Sequence, residues 1–256
     1  MIPLLLVAIT AALYARGWRR QRRIAAPARR RALGRRAVAF AAALATLVLA
    51  LYGPIDDEAD RLFWVHMVQH VLLVMVVAPL VVLAAPWMPL WRGLPLGARR
   101  WLATGWLYAP GRGALHRLAA PAAAWVLFNG DLVAWHVPAL YDLTLRSPAV
   151  HDFEHLSFLL LAVLFWTHAV DSPPLRARLD QPRRVAYVLG AATVCWALAV
   201  VLAFAPQPLY AGYPSLADQQ LAAGVMWGPG SIPYAVFVFA AVYRWLAPEA
   251  LSARPS

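Results

Sequence analysis

The sequence predicts an all-α integral membrane bundle of about seven transmembrane helices, forming a single polytopic domain over residues 1–256. Three observations carry that expectation. The chain is 62% hydrophobic and only 14% charged, too apolar for a water-soluble domain of its size. Its apolar residues gather into long runs, each close to the roughly 20 residues that cross a hydrocarbon core of about 30 Å. All 23 basic side chains are arginine, and nearly all of them fall in alternate connections between those runs.

Taken in order, the runs are Ile2 to Trp18, Ala37 to Gly53, Phe63 to Leu83, Leu118 to Val137, His151 to Val170, Val185 to Ala205 and Gln219 to Leu246. The first has no positive segment ahead of it and no small-residue cleavage site after it, so it reads as a retained anchor. Pro79 predicts a kink in the third. The last is long enough to tilt or break, and Gly228-Pro229-Gly230 marks where a break would fall. The connector from Trp91 to Arg117, with Trp101, Trp106 and Tyr108, reads as an amphipathic segment along the headgroup layer.

The arginines orient the bundle. Those between Arg16 and Arg36, between Arg92 and Arg117, between Arg176 and Arg184, and at Arg244 and Arg254 all fall on one side. Only Arg61 and Arg146 fall on the other. The positive-inside rule then places the N-terminus outside and the C-terminus in the cytoplasm of a bacterial inner (plasma) membrane. The net charge of +11 is therefore a topology signal, with the lipid bilayer as partner and no nucleic acid. A single cysteine, Cys195, sits in an apolar run, which excludes a disulfide framework and a CxxC metal motif and suits packing.

With the orientation set, five of the seven histidines map to the outer ends of runs. His66 and His70 open the third, His136 closes the fourth, and His151 and His155 open the fifth. Asp131 lies about 7.5 Å deeper than His136 at the helical rise. Glu154 shares the start of the fifth run, and Asp218 opens the seventh. Ionisable groups at membrane depth are costly unless paired, ligated or facing water. His66 with His70, and His151 with His155, stand four residues apart, so each pair projects from one helical face.

Two such helices facing each other offer up to four nitrogen ligands, as in bundle-core metal sites. Imidazole suits copper, zinc and iron alike, and the thioethers of Met67 and Met226 would favour Cu(I). Asp131, Glu154 and Asp218 are then candidates to accept from the imidazole N–H groups behind the metal. A plainer reading makes the same side chains interhelical polar links. Trp64, Trp135 and Tyr141 fit the outer aromatic belt, and His116 and His168 on the inner side carry no specific expectation.

The stretch His66-Met67-Val68-Gln69-His70, running through Ala78-Pro79-Leu80 to Ala85-Pro86, resembles the signature span of the multi-spanning CtaG family of cytochrome c oxidase (caa-type) assembly factors. The similarity continues in Trp135-His136-Val137-Pro138-Ala139-Leu140-Tyr141-Asp142. It returns in His151-Asp152-Phe153-Glu154-His155-Leu156-Ser157-Phe158, followed by Phe165-Trp166, and in Leu216-Ala217-Asp218-Gln219-Gln220 with Gly224-Val225-Met226-Trp227. The matches keep their order over a core of about 63–227.

The resemblance implies a non-enzymatic role in maturing a copper-containing terminal oxidase. Its partners would be cytochrome c oxidase subunits and copper donor or acceptor proteins, and copper the metal bound. A site open to the outer face suits receipt or delivery of copper. The lack of a cysteine ligand favours a weaker, exchangeable, imidazole-rich site over thiolate chelation.

The residues themselves keep three other readings open: a haem protein ligated by His70 and His155, a copper permease, and a purely structural bundle. A permease needs a polar path through the midplane, where only Asn129, Asp131, Met75 and Met226 stand. The absorption spectrum separates the haem reading from the rest. Purified in detergent, the protein is expected to lack a Soret band, and an intense one would establish haem in place of copper.

Overall fold

A computed structural model describes residues 2–108 and 110–246; Arg254 of the inner arginine set lies outside them. In chain order the helices are α1 (Ile2–Arg23), α2 (Pro27–Leu51), α3 (Pro54–Ala59), α4 (Phe63–Ala84), α5 (Trp87–Gly93), α6 (Leu96–Leu107), α7 (Arg112–Leu118), α8 (Pro121–Trp135), α9 (Pro138–Arg146), α10 (Pro148–Ala169), α11 (Gln181–Phe204), α12 (Leu216–Trp227) and α13 (Ile232–Leu246). Among the described residues there is no strand, only an isolated bridge between Ser172 and Leu175.

Proline sets many of the starts. Pro27, Pro54, Pro121, Pro138 and Pro148 each take the first helical position, where the missing N–H costs no hydrogen bond and φ is preset. The side chains of Asp180 and Ser215 cap α11 and α12 by accepting from the backbone N–H groups of Arg183 and Asp218.

Five segments are long and apolar enough to cross a membrane: α2, α4, α10, α11 and the continuous Leu216–Leu246. The pair α7 and α8, bent by 71°, makes a sixth. The sequence reading expects seven, and the difference has two sources. Helix α8 is 15 residues long, about 22 Å at 1.5 Å per residue, so alone it falls short of a core of about 30 Å. Helix α1 runs for 22 residues but carries five arginines in its second half and is not among the segments that qualify. At Gly228-Pro229-Gly230 a 3-10 turn over Pro229–Ser231 interrupts the last span while leaving it continuous.

Helix α4 is the hub. Of its most apolar window 56% is buried, against 17–33% for the other four spans, and it packs on α2, α3, α10 and α12. Its middle, Leu72–Val77, is π-helical, with the Ala78 N–H donating to the Leu73 carbonyl five residues back. Pro79 accounts for this. It has no N–H to give, and its ring crowds the carbonyl four residues earlier, so the ladder widens ahead of it. The expected kink is thus absorbed as a wide turn inside one span. Trp166 of α10, 1% exposed, donates Nε1–H to the Val74 carbonyl in that stretch at 3.1 Å.

Helix α1 docks on α5 through two glycines. A Cβ on Gly17 would lie 1.8 Å from the Pro89 carbonyl oxygen, and one on Gly93 would lie 2.0 Å from that of Leu13. Small residues permit this backbone approach between membrane helices. Gly17→Ala is therefore expected to destabilise the protein by about 1–3 kcal/mol, because the methyl meets fixed backbone. Thermal unfolding in detergent checks it: Tm should fall by several degrees. Gly34→Ala, with nothing within 4 Å of the added carbon, should leave Tm unchanged or slightly higher.

Candidate metal centre

The first two turns of α4 carry His66, Met67 and His70, and the start of α10 carries His151, Glu154 and His155. The beginning of α4 is fixed from another helix. Asp218 of α12 accepts from the Phe63 N–H at 2.8 Å and the Trp64 N–H at 3.0 Å, satisfying donors that a helix start leaves open. On a different face Gln69 donates to the Ala50 carbonyl at 2.8 Å and to Asp56 Oδ1 at 2.9 Å, tying α4 to α2 and α3. With those attachments made, His66 and His70 meet α10.

One ligand atom from each of His66, His70, Glu154 and His155 lies within 4.8 Å of the other three, and all four residues are buried. Nε2 of His66 is 3.9 Å from Glu154 Oε2, and Nε2 of His70 is 3.8 Å from Oε1, too long for hydrogen bonds. Neither carboxylate oxygen has a hydrogen-bond partner among the described residues. Nor do His66 Nε2, His155 Nε2 or either ring nitrogen of His70. Burying a carboxylate without a partner is expensive, and one cation would satisfy all four groups together. A tetrahedral ion with bonds of about 2.0–2.1 Å holds its ligands about 3.4 Å apart, slightly closer than they stand here.

The hydrogen bonds behind the imidazoles set their tautomers. The Tyr213 hydroxyl donates to the Ala59 carbonyl, so its oxygen accepts the Nδ1–H of His66 at 3.0 Å. That leaves the His66 Nε2 lone pair facing the cluster. His136 does the same with its own helix: Nδ1–H donates to the Leu132 carbonyl at 2.7 Å, and Nε2 has no partner.

The remaining expected residues stand around this group. His151 is half-buried at the edge, its ring 4.1 Å from that of His155 and 5.0 Å from that of His66 between centroids. The carboxylates of Asp56, Asp60 and Asp152 lie within electrostatic reach of it. His136 and Met67 join Met75, Met226, Cys195 and His70 in lining a cavity of about 30 Å³ that adjoins the cluster at His70. Asp131 accepts from Ser157 Oγ and from Trp135 Nε1, both at 3.0 Å, and bonds no imidazole. Asp218 serves the α4 backbone. Glu154 stands among the ligand atoms, where the sequence reading has it behind them.

Sequence reasoning misses the roof. Phe63, Tyr141, Tyr210 and Tyr213 pack edge to face and stacked over the cluster, each at most 2% exposed. Tyr210 donates to the His136 carbonyl at 3.1 Å, and the Ala211 N–H to Asp142 Oδ1 at 3.0 Å. A site open to the outer face is the sequence expectation. His66 and Glu154 are instead 1% and 0% exposed, and His151, although half-buried as a residue, has a buried and unpartnered Nε2. Tyr141, which the sequence reading assigns to the outer aromatic belt, is fully buried in this cover, and Tyr210 and Tyr213, three residues apart between Pro206 and Pro214, carry no expectation.

The model of the caa3 cytochrome c oxidase assembly factors (Caa3_CtaG) matches residues 12–247, nearly the whole chain. The chain belongs to this family. Uncharacterized proteins of Mycobacterium bovis and of Mycobacterium tuberculosis are each 27% identical to it over 232 residues, covering 82% of this chain and 34% of theirs. One of Mycobacterium leprae is 24% identical over 227 residues with the same shares. The chain thus spans about a third of the length of the curated relatives it matches. No solved structure matches it significantly.

In this CtaG-family chain, the carboxylate of the Leu216-Ala217-Asp218 motif acts on the His66-to-His70 motif through the backbone. Asp218→Ala leaves the Phe63 and Trp64 N–H groups without acceptors. It is expected to cost about 2 kcal/mol, read as a fall of several degrees in Tm. Asp218→Asn, which keeps one acceptor oxygen, should lose about half as much.

Proposed function

We propose that this CtaG-family assembly factor takes up copper at the outer face of the membrane and passes it toward the caa3-type oxidase. His66, His70, Glu154 and His155 would hold the ion, which is cargo here and not a resident cofactor. The observation that carries this reading is the convergence of four buried ligand atoms from two helices, none of them hydrogen bonded among the described residues. Charge supports the orientation. The end of the bundle bearing the cluster has nine of the 12 carboxylates and two of the 23 arginines, an acidic field that draws cations and opposes the positive-inside end.

The donor types support copper in both oxidation states. Three imidazoles and a carboxylate suit Cu(II), as they also suit zinc. The adjoining cavity, with three thioethers and the Cys195 sulfur, suits Cu(I). His70 lines both, so the two donor sets share a ligand. His151, half-buried and within the electrostatic reach of Asp60 and Asp56, would be the point of entry. Haem is less well supported. The rings of His70 and His155 stand edge to face with centroids 5.3 Å apart, which leaves no slot for a macrocycle between them. The copper donor and the oxidase subunit that receives the ion are the partners this role requires, and no catalytic step is needed.

Two measurements test the proposal. Titrated with Cu(I) and Cu(II) in detergent, the protein is expected to bind one equivalent at the four-residue set. His70→Ala and Glu154→Gln should each weaken binding at least tenfold while circular dichroism and size exclusion stay unchanged. Copper binding that survives replacement of His66, His70 and His155 together would refute it. In the source organism, deletion should lower caa3 oxidase activity and added copper should restore it. A loss that copper cannot rescue would point to oxidase folding or haem insertion.

A further inference from the structure

At the arginine-rich end of the bundle, a cavity of about 140 Å³ lies between α1, α2, α5 and the segment leading into α11. Its polar lining is Tyr14, Gln21, Arg29 and Arg36, and Leu33 and Met88 contribute to the apolar wall. Among the described residues no carboxylate lines it. Tyr14 and Gln21 are only 6% and 7% exposed, yet the Tyr14 hydroxyl and the Gln21 Nε2 have no hydrogen-bond partner among the described residues. Arg29 and Arg36 likewise make no side-chain hydrogen bond or ion pair there. Being seven residues apart on α2, they rise on one face, about 10 Å apart along the axis.

The amide Nε2 and the two guanidinium groups can only donate, and the Tyr14 hydroxyl can donate as well, so an acceptor would serve all four. The absence of any balancing acid makes that acceptor an anion. At about 30 Å³ per water the space holds four or five waters, or one group of phosphate size with its ester substituents against the apolar wall. Guanidinium groups match phosphate oxygens in pairs, and basic pockets between spans at the inner surface are where anionic headgroups bind. We propose that this cavity holds a phosphate group, presented by an anionic phospholipid of the inner leaflet. The lipid then fills the seam where α1 and α5 meet α2. The inference does not depend on copper.

Native mass spectrometry and thermal unfolding of the full chain in detergent, after delipidation, test it. The probes are phosphatidylglycerol, phosphatidylcholine and inorganic phosphate. One tightly held phosphatidylglycerol with a rise in Tm is expected, and weaker, non-saturating adducts with phosphatidylcholine. Arg29→Gln with Arg36→Gln should weaken that adduct at least tenfold, and Tyr14→Phe severalfold. Arg19→Gln with Arg23→Gln removes the same charge from outside the cavity and should leave it unchanged. If the outside pair weakens binding equally, the attraction is diffuse and the site is refuted. If inorganic phosphate alone raises Tm and displaces the lipid, the lipid assignment is overturned. Circular dichroism and monodispersity of each variant separate lost binding from lost fold, and a folded double variant that still holds the lipid refutes the proposal.

Discussion

Glu154 has no exposed surface, three imidazoles close by and no hydrogen bond to either oxygen. The charged form of a carboxyl so placed is costly, and that cost is what makes the geometry around it matter. Two of the three imidazoles belong to α4, so that helix must be held in position and in rotation. Asp218 fixes its start from α12, Gln69 fixes another face against α2 and α3, and Trp166 fixes its middle from α10. Each attachment comes from a different part of the chain. The bundle as a whole, more than any one motif, aims the site.

Much of this was legible in the sequence and some was not. Runs of apolar residues announce an all-α membrane protein, and the four-residue spacing of His66 with His70 follows from helical periodicity alone. Which members of the two pairs converge is another matter. His155 joins the group and His151 stays at its edge, a distinction set by how α10 packs on α4 and recorded by no local pattern. Glu154 was legible as an acceptor behind the imidazoles but not as a member of the ligand set: one residue before His155, it lies about 100° round the helix, and only the packing of α10 on α4 brings both to the cluster. Tyr213 was hidden by a loop, whose path is set by contacts with Asp142 and His136 far off in the chain. The bend before α8 did leave a mark, Pro121, but the apolar run continues through it and masks the break.

Charge divides the molecule into two ends with opposite chemistry. The end with the histidine cluster gathers acids and offers lone pairs, and the opposite end gathers arginines and offers donors. Helices α2 and α4 run between the two, so the same spans reach both. Between the two ends, Phe128 stacks on Phe165, which meets Trp166 edge to face in the buried core.

The wide turn at Leu72–Val77 has a geometric effect on everything that follows it. Adding one residue to a helical turn rotates the rest of the helix by about 100° about its axis. The half of α4 before the turn presents His66 and His70, and the half after it presents the Val82 carbonyl to Ser172 Oγ at 2.6 Å. Because the turn sits between them, each half has its own angular setting. The helix works as two keyed shafts on one coupling: the histidine-bearing shaft can be recut without re-indexing the other, whereas deleting a single residue from the coupling would turn one shaft by about 100° against the other.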